Sequence, residues 1–293
     1  MDKAPIVLFV YNRLSLTKRT LEFLSRNYLA GDSNLYVFSD GWKNNVDKNK
    51  VEQVRIFLKS VAGFKNITIY ESSENRGLAN SIIEGVTQII SKYGKVIVLE
   101  DDLITSPNFL IFMNNALSFY KENDSVFSIS GYSMNLPSLV KSNKDYYITN
   151  RASSWGWATW SRSWDDIDWE IKDYSEFIKS TLKKKKFNNG GSDMTRMLKN
   201  QMVGKIDSWA IRWCYNQFKR NQYTIYPTVS KIKSIGFGID ATHTKRTNRF
   251  RTEIDTELKT RFIFDFDLIE NRELLKEFRA KFSVFNRLKD KFL

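Results

Sequence analysis

The sequence predicts an α/β protein built on a wound, largely parallel sheet. Two observations carry that prediction. Strand and helix patterns alternate through the first hundred residues with short connections between them. One strand, Lys95-Val96-Ile97-Val98-Leu99-Glu100-Asp101-Asp102-Leu103, is a continuous apolar run that stops in three consecutive carboxylates. Parallel strands covered on both faces read as such runs, and their ligands lie outside their carboxyl ends.

Taken in order, Pro5-Ile6-Val7-Leu8-Phe9-Val10 is a first strand, followed by Tyr11-Asn12-Arg13 and a helix from about Ser15 burying Leu16, Thr20, Leu21 and Leu24. Leu35 to Phe38 is a second strand ending in Ser39-Asp40-Gly41, and Val51 to Val61 an amphipathic helix. Ile67 to Tyr70 is a third strand, and Asn75-Arg76-Gly77-Leu78-Ala79-Asn80-Ser81 leads into a helix through Ile90. After the acidic strand, Ser106-Pro107 supplies an N-cap and first helical position for a helix over Phe109 to Tyr120. Ser125 to Tyr132 is a strand leaving the acidic site, and Tyr146 to Ile148 another.

Beyond this the pattern is irregular. Trp155, Trp157, Trp160, Trp164 and Trp169 crowd a short stretch, suited either to stacking on sugar faces or to anchoring the next helix in an aromatic core. Gly156 between two tryptophans would let the backbone approach a ligand. Residues 172–203 read as a basic, helical, flexible insertion. Asp207 is a plausible N-cap of a helix carrying Ile211, Tyr215 and Phe218, a role that capping alone would satisfy. Tyr223 to Val229 is a strand, and Ser234 to Thr244 a glycine-bearing loop able to fold over a ligand. The expected organisation is one domain over residues 1–260 and a C-terminal appendage over 261–293. In the latter, Leu274, Leu275, Phe278, Phe282, Phe285, Leu288 and Phe292 recur at helical spacing among lysines and arginines. That basic amphipathic helix either docks on the domain or lies on an anionic membrane surface.

Three adjacent acids raise one another's pKa unless a cation is near, and hard oxygen donors suit Mn²⁺ or Mg²⁺ shared with substrate phosphates. The competing explanation is a helix start, where acids offset the dipole. A cap would account for one or two of them, not for three placed ahead of it.

With 42% hydrophobic and 14% aromatic residues over 293 positions, the chain is no disordered segment. Cys214, the one cysteine, forms no intramolecular disulfide, and no Cys/His spacing suits zinc. A reducing, cytoplasmic setting is expected, possible attachment to the inner face of a membrane included, with no spanning segment or leader. The net charge of +13 asks for a polyanionic partner or reflects scattered lysines.

On these residues the chain resembles GT-A fold, nucleotide-sugar-dependent glycosyltransferases, and within them N-acetylglucosaminyltransferase I and its bacterial relatives, in consistent order over residues 4–245. Val98-Leu99-Glu100-Asp101-Asp102-Leu103 with Ser106-Pro107-Asn108-Phe109 is similar to that family's Glu-Asp-Asp signature and following helix start. The resemblance implies a GT-A fold, a Rossmann-like mixed sheet flanked by helices. By it Asp102 binds the metal directly, while Glu100 and Asp101 contact donor sugar and ribose. Arg13 and Asp40 match positions that hold the nucleotide, Arg13 on phosphate or base edge and Asp40 on uracil. Ser81 falls at a donor contact of different residue type. Trp155-Gly156-Trp157 resembles the Gly-Trp loop beside the sugar, and Asp207-Ser208-Trp209 the Asp-Asp-Trp segment whose first Asp is the catalytic base. Two departures stand out: about thirty inserted residues separate these segments, and Ser208 replaces the second Asp. Asp165 and Asp166, also following a tryptophan, are the rival base. Ser234 to His243 looks like the loop closing over the donor, and His243 would add a metal contact.

The implied reaction is metal-dependent, inverting transfer from a nucleotide-sugar, a UDP-sugar in the family, to a hydroxyl of a glycan or lipid-linked glycan acceptor; the sequence leaves retention of configuration open. Two alternatives stand beside it. A basic, aromatic-rich chain could bind single-stranded nucleic acid, although its most ordered motif is acidic and argues for no nucleic-acid partner. A nucleotidyltransferase shares the α/β nucleotide domain, but Tyr11-Asn12-Arg13-Leu14-Ser15 lacks that class's glycine-rich phosphate loop.

Overall fold

The computed structural model describes residues 3–236, 249–257 and 259–289, the side chains of 287–289 excepted. Strand and helix alternate as expected: β1 (Ile6–Val10), α1 (Leu14–Ser25), β2 (Asn34–Ser39), α2 (Asn45–Leu58), β3 (Asn66–Glu71), α3 (Leu78–Tyr93) and β4 (Lys95–Glu100). A short β5 (Leu103–Thr105) precedes α4 (Phe109–Phe119), β6 (Val126–Ser130), β7 (Tyr146–Thr149) and β8 (Trp157–Trp160). Then come α5 (Ser161–Trp164), α6 (Tyr174–Lys179), α7 (Thr181–Phe187), α8 (Met194–Met202), α9 (Trp209–Lys219), β9 (Tyr223–Pro227) and β10 (Ile232–Ser234). Two helices, α10 (Arg272–Lys281) and α11 (Val284–Lys289), complete the described chain.

Eight strands form one mixed sheet in the order β3-β2-β1-β4-β8-β6-β9-β7. β1 is parallel to both β2 and β4, whereas β8 runs antiparallel between β4 and β6, and β7 antiparallel beside β9. The chain thus steps outward from β1 to β3 and returns for β4 on the other side of β1. That reversal puts the switch point, where open α/β sheets leave a crevice, between the carboxyl ends of β1 and β4.

Both faces are covered, which is why the strands read as unbroken apolar runs. Ile6, Leu8, Val10, Ile97 and Leu99 pack with residues of α1, α2, α4 and α10; Val7, Phe9, Val96 and Val98 pack with α3 and the α5 to α9 group. α3 shows how the pattern works: Ala79, Ile82, Val86, Ile89 and Ile90 recur on its inner face, and Gly94 closes it in the left-handed conformation.

Several expectations give way here. Trp157–Trp160 is a wholly buried central strand, not an irregular stretch, and the aromatic-core reading of the cluster holds for most of it. The Trp157 ring lies 4.3 Å from Trp213, 5.2 Å from Trp209 and 5.6 Å from Trp164. Residues 172–203 are helical but packed: Phe177 and Phe187 are buried edge-on against Tyr215, and Asp193 pairs with Arg151 at 2.8 Å. Ser208, not Asp207, caps α9, accepting a hydrogen bond from the Ile211 N–H. Asn108 rather than Ser106 stands at the N-cap of α4, making no side-chain cap bond. The C-terminal helix breaks at Phe282, and α10 docks on the domain through Leu274, Leu275, Phe278 and Phe282.

Candidate functional site

Arg13 is the first residue past the Tyr11-Asn12 tip of β1, and Glu100, Asp101 and Asp102 close β4, so the switch point brings the two segments face to face. The guanidinium bonds both oxygens of Asp101, Nε to Oδ2 at 3.4 Å and Nη2 to Oδ1, and Nη1 reaches Asp102 Oδ2 at 3.1 Å. Backbone is fixed around them: Thr20 Oγ1 donates to the Asp101 carbonyl, and the Ile235 N–H to the Asp102 carbonyl, both at 2.8 Å.

Three carboxylates face one guanidinium. Burial, then the charges of Asp102 and Asp101, push Glu100 up to about 8, with Arg13 opposing. Burial lifts Asp101 to about 6, although Arg13 pulls it down. Burial works against the Arg13 charge too, but Asp101 and then Asp102 outweigh it and raise its pKa. Among the described residues the site is therefore short of positive charge. Asp102 is the carboxylate best placed to serve a cation, its side chain 19% exposed against 4% for Asp101. Among the described residues no group of three or more His, Cys, Asp or Glu side chains is arranged to hold a metal ion. One protein carboxylate completed by water and substrate phosphates is, however, how Mg²⁺-type ions are commonly bound, and the charge deficit fits such an ion. His243 lies outside the described residues.

The other expected site residues take different places. Asp40 follows β2, and its carboxylate accepts from the N–H groups of Gly41, Arg76 and Gly77 and from Asn75 Nδ2, at 2.9 to 3.1 Å. It thereby holds the turn that opens α3, and Ser81 sits in the first turn of that helix, its N–H on the Gly77 carbonyl. The register that pairs Trp157 with Val98 carries Trp155 to the level of Glu100, half-buried between Tyr132 and Phe250. Trp157 itself, 1% exposed, is a core residue and no platform for a sugar. Gly156, at φ 55°, is required by close packing: a Cβ there would lie 2.7 Å from Ile232, so it is the protein's own β10 that approaches, not a ligand.

Topology separates the candidate bases. β8 runs antiparallel to β4, so the chain leaving it reaches the amino edge of the sheet, where the Ser161 N–H bonds the Gly94 carbonyl. Asp165 and Asp166 follow there, away from the acidic strand end. α9 runs back toward that edge, its Arg220 bonding the Arg162 carbonyl at 3.1 Å, so its N-terminus lies toward the carboxyl ends. Asp207 precedes it, with its side chain 66% exposed and Oδ1 3.5 Å from Arg212 Nη2. Gly236, which belongs to the glycine-bearing loop expected to fold over a ligand, lies against the Asp102 carboxylate, a contact that nothing in the local sequence marks.

Fold and site together define a Rossmann-like α/β protein, a mixed sheet flanked by helices with an acidic strand end and a facing arginine at the switch point. No protein-family model matches the chain, and no curated protein matches it. It is similar to the solved structure of "Mannosyltransferase PcManGT from Pyrobaculum calidifontis in complex with GDP-Man and Mn2+", at 13% identity over 55% of this chain and 45% of that one, TM-score 0.35. It is also similar to S. aureus TarS, at 14% identity over 57% and 30%, TM-score 0.40, and to TarS 1–349, at 8% over 79% and 60%, TM-score 0.44. The chain spans between 30% and 60% of the length of these solved chains.

Proposed function

We propose that this chain is a metal-dependent, inverting glycosyltransferase similar to N-acetylglucosaminyltransferase I, moving a hexosyl group from a nucleotide-sugar, a UDP-sugar, to a hydroxyl of a glycan or lipid-linked glycan in bacterial surface polysaccharide synthesis. The observation that carries the reading is the Arg13, Asp101 and Asp102 constellation across the switch point of the sheet.

Asp102 holds Mn²⁺ or Mg²⁺, which when bound offsets charge on the diphosphate leaving group. Arg13 contributes a second positive charge to the phosphates. Glu100 and Asp101 meet donor sugar and ribose, Asp40 and Ser81 bound the nucleotide side, and Trp155 flanks the sugar. Asp207 accepts the proton of the acceptor hydroxyl as its oxygen bonds the anomeric carbon and the bond to the diphosphate breaks, the electron pair leaving with the nucleotide. The exposure of Asp207 suits a base that an incoming acceptor must reach.

An anionic membrane surface remains a proposed partner, now through α11 and not α10, since the apolar face of α10 is packed while Val284 and Phe285 are 58% and 75% exposed. Incubation with a panel of nucleotide-sugars tests the central reading: Mn²⁺-dependent release of nucleoside diphosphate from one donor is expected, and release from none, with or without metal and acceptors, overturns it.

A further inference from the structure

We infer that Gly236 is a positioning residue for Asp102, and that the ladder between β5 and β10 delivers a residue without a side chain against that carboxylate. The inference rests on Asp102 being the metal ligand.

β10 pairs antiparallel with β5, Ile232 opposite Thr105 and Ser234 opposite Leu103. The ladder is continued by the Ile235 N–H, which donates to the Asp102 carbonyl at 2.8 Å. Gly236 comes next, its N–H turned onto Ser234 Oγ at 3.3 Å. A Cβ at this position would overlap Asp102 Oδ2 and lie 2.8 Å from its Cγ and 3.1 Å from its Cβ. Carbon atoms do not approach so closely, so one partner would have to move.

Backbone conformation does not explain the glycine. Gly236 is absent from the glycines with positive φ, so a left-handed backbone is not what calls for a glycine here. The three atoms nearest an added Cβ all belong to Asp102, so among the described residues the collision falls first on that carboxylate. The Asp102 main chain is held by Ile235, so the yielding group is its partly exposed side chain, which rotates away and gives up the 3.1 Å contact with Arg13 Nη1. Asp101 keeps its own contacts with Arg13. The substitution therefore turns the ligand without emptying any part of the core, and a displaced first ligand costs a metal site affinity even when the fold survives.

The test measures Mn²⁺ binding by electron paramagnetic resonance with UDP present, for the parent, Gly236→Ala, Asp102→Ala and the double variant, alongside thermal unfolding. Gly236→Ala is expected to melt with the parent, to bind Mn²⁺ at least tenfold more weakly, and to change nothing when added to Asp102→Ala. Binding equal to the parent's, early unfolding of Gly236→Ala, or a further loss on the Asp102→Ala background overturns the inference. Equal Mn²⁺ binding by the parent and Asp102→Ala instead removes the metal reading beneath it, and the inference with it.

Discussion

Arg13 and Asp101 stand 88 positions apart in the chain, yet the guanidinium bonds both oxygens of the carboxylate across the mouth of the sheet. The pair is asymmetric in its surroundings, Arg13 being 22% and Asp101 4% exposed at the side chain. Removing the cation strands a buried charge, which costs about 3 kcal/mol. Arg13→Ala is therefore expected to melt well below the parent. Asp102→Ala, at a partly exposed position, should keep the parental melting temperature while losing Mn²⁺-dependent donor binding in calorimetric titration. A variant binding metal and nucleotide as the parent does would reassign the site.

Asp207→Asn keeps the size of the side chain but cannot take a proton at neutral pH. It should bind donor normally and transfer sugar about 10²–10⁴-fold more slowly. Asp165→Asn and Asp166→Asn should transfer at parental rates, because β8 carries both to the opposite edge of the sheet. Turnover retained in Asp207→Asn would move the base elsewhere or indicate retention of configuration, which the anomeric configuration of the product decides.

The two tryptophans flanking Gly156 should part company under mutation. Trp157→Ala opens a hole among Trp164, Trp209 and Trp213 and should cost about 3–5 kcal/mol in denaturant unfolding. Trp155→Ala, half-buried at the carboxyl edge, should unfold near the parent and raise the acceptor KM. A Trp155 variant with unchanged kinetics would leave that ring a purely structural role.

Lys231 and Asp255 form a buried ion pair, 5% and 3% exposed, with Asn108 Nδ2 also donating to Asp255 Oδ2 at 2.9 Å. Burial by itself would raise the Asp255 pKa, but Lys231 and Asn108 outweigh it and hold it below the usual carboxylate value. Burial lowers the Lys231 pKa despite its partner. Since Asp255 is depressed when folded, its contribution is complete above pH of about 4 and disappears as pH falls through the folded pKa. Asp255→Asn should cost about 3 kcal/mol at pH 7 by leaving the ammonium unpaired. The stability gap from the parent should then narrow as pH falls below about 4. A gap that stays constant down to pH 3 would contradict this assignment.

Deleting residues 271–293 removes the buried Leu274, Leu275, Phe278 and Phe282, each contributing about 1.5–3 kcal/mol when fully buried, and should lower solubility and melting temperature. Deleting residues 284–293 should spare the fold but abolish sedimentation with anionic liposomes at low salt. Full-length protein that ignores such liposomes would end the membrane proposal.

The sequence by itself determined the alternating α/β frame, because doubly covered parallel strands leave unbroken Val, Ile and Leu runs that composition cannot disguise. It also singled out the acids of β4, since charge at the end of an apolar strand stands out without any neighbour being known, whereas Arg13 entered through the resemblance. It left Trp157 open between two readings and took Gly156 for a ligand approach, because their local signature, aromatic residues around a glycine, is the same for a ligand platform and for a buried central strand. Only the partners distinguish the two, here Trp213 on one side and Ile232 on the other. Residues 172–203 looked like a loose insertion because their lysines dominate the composition, whereas the few apolar residues among them decide the packing. Direction was likewise invisible: nothing local tells that β8 runs antiparallel to β4, and that one fact sends Asp165 and Asp166 to the far edge. The same holds for Gly236, whose meaning lies in a carboxylate more than a hundred residues away. Tertiary structure decided these matters because they are properties of pairs of residues distant along the chain, and a local pattern records only what each residue prefers on its own.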